Sequence, residues 1–137
     1  MHTVVTSTSS DAHTWNLIYL ELLLREWGHR VTNLGACVPD ELLIGSCREQ
    51  RPDLIVISSV NGHGANDGLR VIRQLRGTEE LARTPVVIGG KLGTAGNGAA
   101  AWAPQLREAG FDAVFDESEG ILPFRGYVER LTAGVRV

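Results

Sequence analysis

At 137 residues the chain is long enough for one domain with a single buried core. A composition of 43% apolar and 21% charged residues is that of an ordinary globular protein, and a net charge of −3 with a single lysine, Lys91, excludes a basic footprint for nucleic acid. No apolar run is long enough to cross a bilayer, and no basic-then-apolar leader opens the chain, so no membrane partner and a cytoplasmic setting are expected. In that setting Cys37 and Cys47, which lack a metal-binding spacing, are expected as reduced thiols.

Apolar β-branched runs alternate with helical patterns from end to end. Val4-Val5-Thr6 predicts a first strand. From Thr14 to Trp27 the apolar positions Leu17, Ile18, Leu20, Leu24 and Trp27 recur at helical spacing, and Gly28 stands where a C-cap glycine belongs. Arg30 to Leu34 reads as a second strand, closed by Gly35. Pro39-Asp40-Glu41 opens a helix that runs to about Gln50, with proline and two acids suited to its first turn. Asp53 to Val60 is the strongest strand, apolar on both faces as a central parallel strand must be. The loop Asn61-Gly62-His63-Gly64 leads into a helix bearing Leu69, Val71, Ile72 and Leu75.

Pro85 to Ile88 is a fourth buried strand and runs directly into Gly89-Gly90. A second glycine-rich loop (Gly93, Gly96, Gly98) precedes a helix from about Ala99 to Ala109. Phe111 to Phe115 predicts a fifth strand, and Leu122 to Leu131 a last helix with Pro123 in its first turn. Five β-α units of this rhythm predict a single α/β domain. Its expected form is a flavodoxin-like (Rossmann-like) doubly wound parallel five-stranded sheet of order 2-1-3-4-5.

In such sheets ligands bind beyond the carboxyl ends of the strands, near the switch point between strands 1 and 3. Three features fall on that edge. Ser10-Asp11-Ala12-His13-Thr14-Trp15-Asn16 follows strand 1, Ser58-Ser59-Val60-Asn61-Gly62 ends strand 3, and Gly89-Gly90-Lys91 ends strand 4. Glycines there let a bulky ligand lie against the backbone, and small serines offer hydroxyls without filling space. An imidazole that binds a metal through one ring nitrogen usually gives its other N–H to a carboxylate, so Asp11-x-His13 suits a one-armed axial ligand for a metal already held by a macrocycle.

Each feature also has a plainer explanation. Asp11 can be a helix N-cap and His13 a first-turn surface residue, Gly89-Gly90 a tight βα turn, and Ser58-Ser59 a local backbone partner. His2 and His29 read as surface residues. Thr6-Ser7-Thr8-Ser9-Ser10 carries the hydroxyls of a phosphate-binding loop, although the later loops lack aromatic residues to sandwich a flavin. A phosphoacceptor receiver needs an aspartate at the end of strand 3, where this chain has Ser58-Ser59.

These residues resemble the cobalamin (B12)-binding domain family, whose pattern is Asp-x-His-x-x-Gly after strand 1, Ser-x-Leu after strand 3 and Gly-Gly after strand 4. Within it they are most similar to the small B12-binding subunits of glutamate (methylaspartate) mutases. Here the pattern reads Asp11-Ala12-His13-Thr14-Trp15-Asn16, Ser58-Ser59-Val60 and Gly89-Gly90, with Asn16 in the glycine position and Val60 in the leucine position.

The resemblance spans nearly the whole chain and implies one cobalamin-binding domain over residues 1–137. It implies adenosylcobalamin bound base-off, with His13 as the ligand to cobalt and Asp11 behind it. The displaced nucleotide tail would lie in a slot lined by Ser58, Val60, Gly89 and Gly90. Ala12, Asn16, Ser59, Gly62 and Lys91 complete the expected cofactor contacts, and no residue of this chain is expected to be catalytic. A chain that opens at strand 1, with no four-helix cap before it, is expected to be a stand-alone subunit. It would work with a separate barrel subunit that binds the amino-acid substrate, in a radical-based isomerase inactive without that partner. Two other classes stay open: a cobalamin carrier or sensing module, and a flavodoxin-like nucleotide or flavin binder.

Overall fold

The computed structural model describes residues 1–9, 11, 14–59, 64–90, 98–116 and 119–135, over which strands and helices alternate. The strands are β1 (His2–Thr6), β2 (Arg30–Asn33), β3 (Leu54–Ser59), β4 (Val86–Gly90) and β5 (Ala113–Asp116). The helices are α1 (Trp15–Glu26), α2 (Asp40–Gln50), α3 (Gly64–Arg76), α4 (Gly98–Ala109) and α5 (Leu122–Val135), with a short 3-10 turn at Glu79–Leu81. All strand pairs are parallel and the order is β2-β1-β3-β4-β5, as the alternation of elements predicts.

Successive strand side chains face opposite sides of a sheet, and here that alternation sorts the core into two layers. Val5, Leu54, Val56 and Val87 pack against Leu17, Leu20 and Leu24 of α1 and Phe124 and Val128 of α5. Val4, Ile55, Ile57, Val86 and Ile88 pack against Leu43, Cys47, Val71, Ile72, Leu75 and Leu106 of α2, α3 and α4. Every residue of β3 is buried, which a strand covered by helices on both faces requires.

The structure corrects several boundaries. Phe111 precedes β5 rather than opening it: it is buried in the α4-side core, and Asp112 bonds Val86 through both backbone and carboxylate at 2.9 and 2.8 Å. Ile18 shares the helical spacing of α1 but is 43% exposed, because the stripe turned inward is Leu17, Leu20 and Leu24. His2 and His29 are half-buried rather than on the surface. His2 pairs its Nε2 with Thr32 Oγ1 at 2.9 Å, and burial lowers its pKa.

The largest correction concerns the two glycines. They do not form a turn after β4 but are its last two residues, paired in register with Ser58 and Ser59. Gly90 has φ +107°, and a Cβ built there would lie 2.1 Å from the Ser59 carbonyl oxygen. No side chain fits at that position without parting the strands. Neither cysteine is in a disulfide: Cys37 is exposed, and Cys47 is buried with its thiol pushed up to about 12 by desolvation. No helix among the described residues is long and apolar enough to cross a membrane.

Gly90→Ala is expected to destabilise the fold by roughly 3 kcal/mol or more, combining left-handed backbone strain with overpacking against β3. Urea unfolding monitored by circular dichroism measures it, and a loss below about 1 kcal/mol would mean that the strands separate easily here. A thiol reagent is expected to titrate Cys37 at once in the native protein and Cys47 only after denaturant is added, because the neutral, buried thiol is not a nucleophile. Two fast thiols in the native state would contradict the packing of α2.

Candidate functional site

The β1–α1 segment is held from two sides. The buried Asp11 takes its backbone N–H to Thr8 O at 3.2 Å and accepts the Cys37 N–H on its own carbonyl at 2.8 Å. On the other side the Arg70 guanidinium of α3 donates to Ser9 Oγ at 3.0 Å while gripping Asp40 at 2.6 and 3.1 Å and Asp67 at 3.0 Å. The hydrogen bond to Asp40, more than the one to Asp67, raises the Arg70 pKa and keeps its charge in place. Ser9 and Asp11 are therefore tied to α2, α3 and the β2–α2 loop. Asp11 is not the N-cap of α1; Thr14 holds that place, without a side-chain capping bond.

Three of the hydroxyls that could have formed a phosphate loop are engaged within the protein. Thr6 Oγ1 donates to Ser7 O at 3.0 Å, Ser7 Oγ donates to Gly35 O at 2.9 Å, and Ser9 Oγ accepts from Arg70. Thr8 Oγ1 is buried without a hydrogen-bond partner among the described residues.

Next to this segment, on the α1–α5 side of the sheet, a cavity of about 200 Å³ opens beyond β3, β4 and β5. Its polar end is formed by Asn16 and Ser58, joined by a hydrogen bond from Asn16 Nδ2 to Ser58 Oγ at 2.5 Å. Its floor is Val56, Val87 and Gly89, and its far wall is Phe115, Ile121 and Phe124, with the Phe115 and Phe124 rings edge to face at 5.5 Å. A Cβ at Gly89 would meet Phe115 Cβ and O at 3.3 Å, so glycine keeps the floor low where β4 passes β5.

Of the residues expected from the sequence, the structure brings Asn16, Ser58, Gly89 and Gly90 around this cavity. Ser59, also expected there, points to the opposite layer with its side chain fully buried. Asp11 lies in the adjoining loop, while Ala12, His13, Val60, Gly62 and Lys91 fall outside the described residues. Sequence reasoning missed the contribution of Tyr19 and Leu20 from α1 and of Phe115, Ile121 and Phe124 from β5 and α5. The available signal was alternation: Phe115 is the register partner of Gly89 and therefore shares its face.

Asn16 also differs from expectation in its backbone. It is the second residue of α1 and is not among the positive-φ residues, so the glycine of the family pattern is not replaced at a left-handed position. What the substitution changes is the space above Ser58.

The cavity matches an amphipathic tail that ends in a flat heteroaromatic ring: aromatic and aliphatic walls at depth, hydroxyl and amide at the rim, and glycines where side chains would intrude. The donor set therefore fits the nucleotide end of a corrinoid. Flavin binding is less well served, since the aromatic residues stand within β5 and α5.

The chain is similar to several known proteins. The glutamate mutase sigma subunit of Halobacterium salinarum is 33% identical over 119 residues, covering 86% of this chain and 78% of that one. The HTH-type transcriptional repressor CarA of Myxococcus xanthus is 35% identical over 82 residues, 60% of this chain and 28% of the repressor. A cobalamin-binding protein from Desulfitobacterium hafniense has the same fold, with a TM-score of 0.67 at 18% identity over 82% of this chain, which spans about half (51%) of that protein. The family model described as B12 binding domain matches residues 1–123, and the chain belongs to that family.

Proposed function

We propose that this chain is the cobalamin-binding subunit of an adenosylcobalamin-dependent carbon-skeleton mutase of the glutamate mutase (methylaspartate mutase) type. It acts in the cytoplasm with a separate barrel subunit that binds the amino-acid substrate, and it is inactive alone. The observation that carries this reading is the cavity lined by Asn16, Ser58, Gly89 and Gly90: a slot with a polar rim and an aromatic end, in a chain whose first loop carries a carboxylate two residues before an imidazole. The 33% identity to a glutamate mutase sigma subunit over 86% of the chain supports the mutase assignment.

The bound cofactor supplies radical chemistry through its cobalt–carbon bond. The protein holds and orients it. His13, by the family pattern, would hold the cobalt in place of the cofactor's own base. Asp11 accepts the remaining imidazole N–H, which selects the tautomer and raises the basicity of the ligating nitrogen. Arg70 holds Ser9 and the Cys37 N–H holds Asp11, so both contacts brace the loop ahead of residue 13. Ser58, Gly89 and Gly90 receive the displaced tail, and the Phe115–Phe124 end of the slot excludes water from its base. A second reading, a cobalamin-sensing module, draws support from the 82-residue match to the repressor. Isomerase activity on mixing with a barrel-type mutase subunit favours the first reading over the second.

Cob(II)alamin mixed with the purified protein and freed of unbound cofactor by gel filtration is expected to show EPR superhyperfine splitting from one axial nitrogen. His13→Ala should lose that splitting, and Asp11→Asn should keep the corrinoid while shifting the cobalt signal. No retained corrinoid in the wild type, or identical spectra in all three proteins, would overturn the assignment. Ser58→Leu is expected to fold, since the cavity of about 200 Å³ has room for the larger side chain, and to lower cobalamin retention at least tenfold. Equilibrium dialysis measures the loss, and undiminished retention would place the tail elsewhere.

A further inference from the structure

Asn16 is the residue at which this chain departs from its family's glycine, and the structure shows where the added side chain goes. From the first turn of α1 its amide reaches β3 and donates to Ser58 Oγ at 2.5 Å. Both residues line the cavity, so the bond ties a helix to the sheet edge at its polar end. The cavity beneath measures about 200 Å³, below the roughly 300–1,000 Å³ of sites that enclose a drug-sized ligand. A nucleotide tail entering at this end meets the Ser58 hydroxyl only once the Asn16 amide has left it.

We propose that Asn16 is a specificity residue that occupies the Ser58 hydroxyl at the polar end of the slot and is displaced by the incoming nucleotide tail. Position 16 thereby sets how fast corrinoids bearing a tail bind, without affecting those that lack one. The inference rests on the cobalamin reading above and concerns its entry step. The Ser58 hydroxyl is 4% exposed by residue, so the Asn16 amide supplies the partner that water would otherwise provide, and the tail must replace it. Because Asn16 has ordinary helical backbone, removing its amide costs no special conformation, and the rim is released with α1 intact.

The test is stopped-flow absorbance of the whole protein, in excess, mixed with aquocobalamin and separately with diaquacobinamide, which has the corrin ring but no nucleotide tail. Asn16→Ala is expected to raise the association rate of cobalamin about tenfold, the effect of one net hydrogen bond, and to leave that of cobinamide unchanged. Ser58→Ala removes the other end of the same bond and is expected to give the same acceleration, with no further gain in the double variant. Equal acceleration of both corrinoids, or no acceleration of cobalamin by either variant, overturns this role of Asn16 while leaving the cobalamin reading in place. Failure of wild type and variants to bind either corrinoid overturns both.

Discussion

The close approach of two backbones at the carboxyl end of the sheet is the constraint on which the rest of the site depends. Where Ser58-Ser59 of β3 lies beside Gly89-Gly90 of β4, a side chain on Gly90 would strike the Ser59 carbonyl and one on Gly89 would crowd Phe115. The parallel ladder can therefore continue two residues farther than the apolar run of β4, and it does so without filling the α1–α5 face. That omission of side chains leaves a slot whose floor is backbone. Larger residues would have brought the same strands to the same edge with the slot filled.

Around that slot, polar contacts are arranged to fix the loop rather than to bind a ligand themselves. Arg70 spends its guanidinium on Asp40, Asp67 and Ser9, and Ser7 spends its hydroxyl on Gly35. Arg70 is partly exposed, so its ion pairs contribute little net stability in water. Their consequence is geometric, since they join α2, α3 and the first loop at one point. A metal ligand on a loop needs such bracing, because an axial bond is sensitive to small errors in position.

The fold alone does not choose among functions, and β3 shows where the choice is made. Its end carries two small hydroxyls in place of a phosphoacceptor carboxylate, and they face opposite layers. Ser58 faces the slot and meets Asn16; Ser59 is buried on the other side. One residue of that pair contributes its hydroxyl to the rim, and the other matters for the backbone oxygen that Gly90 accommodates.

Element order, the central strand, the two-layer core and the strand order were legible in the sequence because they follow from periodicity: β-branched runs of period two and helical stripes such as Leu17, Leu20 and Leu24. The residues of the polar rim were legible for a related reason, since glycines and serines after buried strands mark a ligand edge in any sheet of this kind. Other features were decided only by tertiary structure. That Gly89 and Gly90 extend β4 depends on what β3 and β5 place beside them, and no local propensity encodes a neighbour's carbonyl. That Ile18 faces outward and Phe115, Ile121 and Phe124 close the slot depends on how α1 and α5 lie on the sheet. Asn16 shows the difference most plainly. Sequence marked it as a departure from a glycine, whereas its helical backbone and its bond to Ser58, 42 residues away, exist only once the helix is packed against β3.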